Sequence, residues 1–120
     1  MKLGDYLDKD LVLPDLKARS KSEALEELVA PIGVKFPGFD VDKAFKVLLE
    51  REYLGTTGIG DGVAIPHGKL ESLNDIILVV GRSVSGLDFQ ALDFKLCSIF
   101  FLVLAPEQVA GMHLRILAHI

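Results

Sequence analysis

The stretch Gly60-Asp61-Gly62-Val63-Ala64-Ile65-Pro66-His67-Gly68-Lys69 places one imidazole just beyond a short apolar strand. The run from Val63 to Ile65 is typical of a strand inside a sheet, whereas Pro66 has no N–H to donate to a neighbouring strand. The strand is therefore predicted to lie at a sheet edge or to end at Pro66. At neutral pH the His67 ring, with an ordinary pKa of ~6.5, is largely unprotonated and available as a nucleophile or as an acid-base group.

Composition indicates one domain in a reducing compartment. The chain has 120 residues, half of them hydrophobic, and a net charge of −4 without a basic stripe, which excludes nucleic acid as a partner. The longest apolar stretch, residues 96–105, is about half of the ~20 residues that a membrane-spanning helix needs, so no membrane insertion is predicted. A single cysteine, Cys97, rules out an intrachain disulfide, and Met1 to Asp5 lack the apolar core of a signal peptide. These features favour the cytoplasm.

Two helices are predicted between residues 20 and 55. Ser20 and Glu23 form a capping box, and the helix that they open is predicted to end near Pro31-Ile32-Gly33. A second helix is predicted from Asp40 to Gly55. Its apolar face comprises Val41, Ala44, Phe45, Leu48 and Leu49, and its polar face Lys43, Lys46, Glu50 and Glu52.

The rest of the chain predicts strands and loops. Residues 55–62 are glycine-rich and predict a loop. Strands are predicted at residues 11–13, 63–65, 76–80 and 96–104, with a turn at Ser85-Gly86 and the start of a further helix after Glu107. The order of these elements indicates a mixed α/β (α+β) fold, a mixed sheet flanked by helices, in a single domain spanning 1–120.

Two common phosphate-binding motifs and a metal site are not supported. The spacing from Gly55 begins like a Walker A loop, but Asp61-Gly62 stands where lysine and serine or threonine are required. A helix precedes these glycines, where the dinucleotide fingerprint requires a strand. His113 and His119 are six positions apart, and this spacing does not place two ligands on one helical face. We therefore predict neither a metal nor a cofactor.

The segment from Arg51 to Gly68, which contains Gly55-Thr56-Thr57-Gly58-Ile59-Gly60 and Ala64-Ile65-Pro66-His67, closely resembles the active site of a known family. This family is the enzyme IIA domain of the bacterial phosphoenolpyruvate-dependent phosphotransferase system, of the mannitol, fructose and nitrogen-regulatory (type 2) class. A weaker resemblance extends from Ser20 to Leu114. It implies the type-2 IIA sandwich fold and a phosphocarrier function. His67 would take a phosphoryl group from the phosphohistidine of HPr and pass it to a cysteine or histidine of an enzyme IIB partner.

The resemblance also implies a second histidine near the first, and His113 stands at the matching place. His113 would donate to a phosphoryl oxygen or fix the tautomer of His67. Family domains continue past the helix that carries this second histidine. The C-terminal part of the usual domain is therefore expected to be missing from residues 1–120.

Three further positions suit a phosphoryl group on physical grounds. Phosphoryl transfer places charge on three equatorial oxygens, so the protein must supply positioned donors. Arg51 offers a planar, permanently charged group, Thr57 a hydroxyl, and the amides from Gly58 to Gly60 an anion-binding nest.

Each assignment has a purely structural alternative. His67 would be a hydrogen-bonded core imidazole, Arg51 a cation that favours a helix C-terminus, Thr57 a turn residue and His113 a partly buried helix residue. Two other functions also remain open. One is a regulatory protein of the nitrogen branch, which would bind other proteins in a phosphorylation-dependent way, and the other is a binding fold without phosphoryl transfer.

Overall fold

The computed structural model describes residues 7–106, which form a six-stranded mixed sheet and two long helices. The helices are α1 (Lys21–Lys35) and α2 (Val41–Leu54). A short 3-10 turn (Lys9–Leu11) leads into the first strand. The strands are β1 (Val12–Leu13), β2 (Gly58–Gly60), β3 (Val63–Ala64), β4 (His67–Lys69), β5 (Ile77–Leu87) and β6 (Cys97–Ala105). The predicted mixed α/β class is confirmed.

The sheet is built around the antiparallel pair β5 and β6, with the strand order β1-β5-β6-β3-β2. β3 pairs in parallel with β6, and β4 pairs in parallel with β6 further along the same strand. β3 and β4 therefore lie one after the other along the same edge of β6, and Ile65 and Pro66 separate them. The predicted end of the apolar strand at Pro66 is confirmed, and the pairing resumes at His67.

Side chains alternate between the two faces of β6, and each face has its own apolar cluster. Leu102 and Leu104 belong to the main core, which α1 and α2 cover with Leu25, Leu28 and Leu48. Val103 belongs to a smaller cluster on the other face, whose members are Ile65, Ile76, Leu78, Val103 and Ala105. Both faces of the central strand are thus buried, which explains why its sequence is apolar without alternation.

The predicted helix boundaries are confirmed at three of four ends. The Ser20 hydroxyl accepts from the Glu23 amide, the Asp40 carboxylate accepts from the Lys43 amide, and α2 ends before Gly55. The predicted end of α1 near Pro31-Ile32-Gly33 is wrong, because the helix continues to Lys35. Proline removes one intrahelical hydrogen bond and its ring crowds the preceding turn, but the buried side chains of Leu28, Val29 and Ile32 hold the helix against the core.

Two loop predictions are also wrong. Gly58–Gly60 is a strand, and Asp61 and Gly62 form the two-residue turn between β2 and β3, both with the positive φ that Asp-Gly turns of type I′ require. Ser85 and Gly86 lie inside β5, where the register to β6 shifts and Gly86 has a φ of 79°. The glycine marks a bulge and not a turn.

The Ser20 cap offers a first test of the fold. We expect Ser20→Ala to lower the free energy of unfolding by about 1 kcal/mol, because the Glu23 amide loses its acceptor. Ser22→Ala is the matched control, since Ser22 is exposed inside the helix and alanine is a good helix former. Urea denaturation of the three proteins measures both effects, and equal stabilities would contradict the assigned cap.

Candidate functional site

His67 and Arg51 line one open cavity of about 540 Å³. The cavity lies between the C-terminal half of α2 and strand β4, and its other lining residues are Val47, Glu50, Leu54, Gly68 and Lys69. Of the charged lining residues in the described part of the chain, two are cationic, Arg51 and Lys69, and one is anionic, Glu50. The cavity therefore combines a histidine with a local excess of positive charge, which favours an anionic ligand.

Close packing of α2 against β4 brings these two side chains together. A Cβ atom added at Gly68 would lie 2.8 Å from Cγ1 of Val47, so only glycine permits this approach. Arg51 follows Val47 by one helical turn on α2 and His67 precedes Gly68 on β4. Gly68 thus allows α2, which carries Arg51, to pack closely on β4, which carries His67.

The tautomer of His67 is set by its own backbone. Nδ1 lies 2.7 Å from the carbonyl oxygen of Ile65, which can only accept, so Nδ1 carries the proton. The in-plane lone pair of the ring is then on Nε2. Burial lowers the pKa of His67 from its usual 6.5, the Ile65 carbonyl and the charge of Glu52 raise it, and the charge of Arg51 lowers it further. The net effect favours the neutral ring.

This direction gives a pH prediction. We expect NMR titration to place the pKa of His67 below 6.5 in the folded protein, with the same residue close to 6.5 in urea-unfolded chain as the control. The unfolded state then binds the proton first as pH falls, so this histidine lowers stability below pH 6.5 and not above it. A folded pKa above 6.5 would contradict the prediction.

Arg51 also contacts the backbone at the end of α2. Its guanidinium donates to the carbonyl oxygen of Gly55 at 2.8 Å, which caps the last turn of α2 and orients the side chain. The structural and the functional assignments of Arg51 are thus compatible. Arg51 thus caps a helix and lines the cavity that contains the histidine.

Thr57, Gly58 and Gly60, which were also predicted to contact the phosphoryl group, do not line this cavity. Thr57 is buried, and its hydroxyl makes a short hydrogen bond to Glu52. The Gly58 amide donates to the Thr56 hydroxyl, and Gly58 packs against Ala91. At Gly60 the neighbouring carboxylate is that of Asp93, which accepts from the Asp61 amide. Backbone N–H groups of Lys95 and Asp61 lower the pKa of Asp93, so an anion of the protein itself already lies beside this turn.

His113 and the predicted helix after Glu107 lie outside the described residues. Within residues 7–106, no helix has the length and apolar character that crossing a bilayer requires, and no group of three or more potential ligands is arranged for a metal ion. A second cavity of about 580 Å³ lies near the start of α2, but its lining contains no histidine, lysine or arginine.

Glu52 lies in a different environment from the one that the sequence predicts. The helical pattern places it on the polar face of α2, but it is only 7% exposed. It lies one and two helical turns after the buried residues Leu48 and Ala44, and this spacing is the signal that could have identified it. Its partner Lys21, whose Nζ lies 3.0 Å from Glu52 Oε1, is the first residue of α1.

The chain is similar to known proteins of one family. The family model for the phosphoenolpyruvate-dependent sugar phosphotransferase system, EIIA 2, matches residues 5–120. The chain is 42% identical over 120 residues to a nitrogen regulatory protein of Bradyrhizobium diazoefficiens, covering all of this chain and 78% of that protein. It is 31% identical over 121 residues to the PTS system fructose-specific EIIABC component of Bacillus subtilis, covering 100% of this chain and 19% of that protein.

Two solved structures are similar in fold. The nitrogen regulatory protein IIA-Ntr from Neisseria meningitidis has a TM-score of 0.89 and 32% identity, with 97% of this chain and 79% of that chain covered. The complex of enzyme IIAMTL with phosphorylated enzyme IIBMTL from Escherichia coli has a TM-score of 0.73 and 19% identity, with 91% of this chain and 76% of that chain covered. This chain therefore belongs to the EIIA 2 family of the phosphoenolpyruvate-dependent sugar phosphotransferase system.

Proposed function

We propose that the protein is a phosphocarrier, and that His67 accepts a phosphoryl group from the phosphohistidine of HPr and passes it to an enzyme IIB partner. The observation that carries this proposal is the hydrogen bond from Nδ1 to the Ile65 carbonyl, in a cavity that also contains Arg51. This geometry leaves the nucleophilic lone pair on Nε2 and provides a cation for the transferred group.

In the proposed step, Nε2 of His67 attacks the phosphorus atom of phospho-HPr. The new N–P bond forms as the donor's N–P bond breaks, and the electron pair of the broken bond stays on the donor imidazole. Arg51 stabilises the charge on the equatorial oxygens, where a positioned cation lowers the barrier most. In the second step a cysteine or histidine of the IIB partner attacks the same phosphorus, and His67 is the leaving group.

The remaining predicted site residues take different roles in this proposal. His113 supplies a second imidazole that donates to a phosphoryl oxygen. Thr57, Gly58 and Gly60 shape the segment between α2 and β3, since the polar groups described at Thr57 and Gly58 are engaged within the protein. The phosphoryl contacts from the described residues then come from Arg51 and, across the cavity, from Lys69.

A second candidate function uses the same phosphohistidine for regulation. It is favoured by the 42% identity to a protein named as nitrogen regulatory, and by the TM-score of 0.89 with the nitrogen regulatory structure. In this case the phosphorylated and unphosphorylated forms bind different protein targets, and no sugar is modified.

The test is incubation with phosphoenolpyruvate, enzyme I and HPr, followed by detection of acid-labile phosphate on the protein. The proposal expects labelling, and subsequent transfer of the label to an added enzyme IIB domain of the fructose or mannitol type. Labelling without transfer to either would favour the regulatory function. Absence of labelling would overturn both and leave a binding fold without phosphoryl transfer.

A further inference from the structure

The carboxylate of Glu52 is buried at the end of α2 and fully engaged by groups from other segments. Its Oε1 accepts from Lys21 Nζ at 3.0 Å and from the Thr57 amide at 3.1 Å, and its Oε2 accepts a short hydrogen bond from the Thr57 hydroxyl. The Lys21 side chain is also largely buried, with 14% of its surface exposed. Glu52 therefore ties the first residue of α1 to the segment that follows α2.

A continuous chain of hydrogen bonds leads from Glu52 to His67. Glu52 holds the amide and hydroxyl of Thr57, and the Thr57 carbonyl accepts from the Ile65 amide at 2.9 Å. The Ile65 carbonyl in turn accepts from His67 Nδ1 at 2.7 Å. Thr57 directly precedes β2 and Ile65 directly follows β3. A displacement of Thr57 would therefore move Ile65, whose carbonyl orients the histidine.

Stability alone does not account for a buried ion pair at this place. Removing two charges from water is costly, and well-packed apolar residues of similar size often stabilise a protein as well or better. The ion pair also fixes the position of the groups that the Glu52 carboxylate contacts. One of these groups is Thr57, whose carbonyl accepts from the Ile65 amide.

We propose that Glu52, held in place by Lys21, is a positioning residue for His67 that acts through Thr57 and Ile65 to fix the Nδ1–H tautomer and the orientation of the ring. This inference rests on the proposed phosphocarrier function, because His67 is the nucleophile only in that function. The tautomer of His67 can nevertheless be measured independently of phosphoryl transfer. The charge of Glu52 supports it, since that charge raises the pKa of His67. Among residues 7–106, the other charged groups that line the cavity with His67 are Arg51 and Glu50 on α2 and Lys69 on β4.

The experiment compares Glu52→Gln and Thr57→Val with the wild type. Ring ¹⁵N chemical shifts of His67 report the tautomer, NMR titration reports its pKa, and single-turnover labelling by phospho-HPr reports the rate. We expect Glu52→Gln to reduce the Nδ1–H population, to lower the pKa of His67 because a negative charge is lost, and to slow labelling by about 10- to 100-fold. Thr57→Val should change the tautomer and rate in the same direction.

Two controls separate positioning from general effects. Glu26→Gln removes the same charge from an exposed position of α1 and should leave all three readouts at the wild-type values. Thr57→Ser keeps the hydroxyl and should restore the wild-type tautomer. If Glu52→Gln does not fold, the comparison of Thr57→Val with Thr57→Ser decides the question.

A folded Glu52→Gln or Thr57→Val protein with the wild-type His67 tautomer would overturn the proposal. Failure of the phosphocarrier function would appear differently, because the wild type itself would then not be labelled while the tautomer change in the variants would persist. The tautomer measurement thus tests the positioning chain, and the labelling of the wild type tests the function.

Discussion

Replacing His67 with alanine is expected to abolish labelling by phospho-HPr. The proposed nucleophile is lost, and the cationic side chains of Arg51 and Lys69 offer no comparable nucleophilic lone pair. Removal of the nucleophile in covalent catalysis lowers rates by roughly 10⁴-fold or more. Acid-labile phosphate, followed over time with enzyme I and HPr in excess, measures the loss.

The fold of the variant must be shown to persist, which thermal melting of His67→Ala and wild type establishes. His119→Ala is the matched control, since the family resemblance assigns no role to that histidine, and it should keep its labelling. Persistence of acid-labile phosphate in His67→Ala would contradict the assignment of the phosphorylated residue, whatever the function of the protein.

Replacing Phe100 with alanine is expected to lower the free energy of unfolding much more than Ser20→Ala does. Phe100 is fully buried in β6, and its ring lies 5.3 Å from that of Phe89 in an edge-to-face arrangement. Truncating such a residue removes about 3–5 kcal/mol through lost burial and the cavity that remains. Since small domains are stable by only ~5–15 kcal/mol, the midpoint of urea unfolding should fall markedly.

Phe94→Ala is the control for this truncation. Phe94 is 97% exposed in the connection between β5 and β6, so the same chemical change should alter the free energy of unfolding by less than about 0.5 kcal/mol. Similar losses in the two variants would show that Phe100 does not have the central packing role that its burial indicates.

The features that sequence predicted well are those that neighbouring residues determine. The caps at Ser20, Asp40 and Gly55 depend on side chains within a few positions, and each is found in the structure. Pro31 and Gly86 were misleading because their local preferences were outweighed by packing over longer distances. Pro31 lies in a helix held by the core, and Gly86 supplies a bulge in a strand paired along β6.

The candidate site divides in the same way. His67 and Arg51 were predicted from sequence, and the packing of α2 on β4 brings them to one cavity. The engagement of Thr57 by Glu52, and of the Gly58 amide by Thr56, depends on side chains that meet only in the folded chain. Glu52 is buried on the same face of α2 as Ala44 and Leu48, as the helical repeat indicates. Its negative charge instead favours the prediction of an exposed position.

The alignment of β3 and β4 on β6 limits how this protein can change in length. Val63 lies opposite Ile99 and His67 lies opposite Val103, so the offset between partners is the same before and after Pro66. Inserting or deleting a single residue between Ala64 and His67 would turn the imidazole to the opposite side of the sheet. The short piece around Pro66 therefore behaves as a spacer of fixed length between the two parts of the chain that pair with β6.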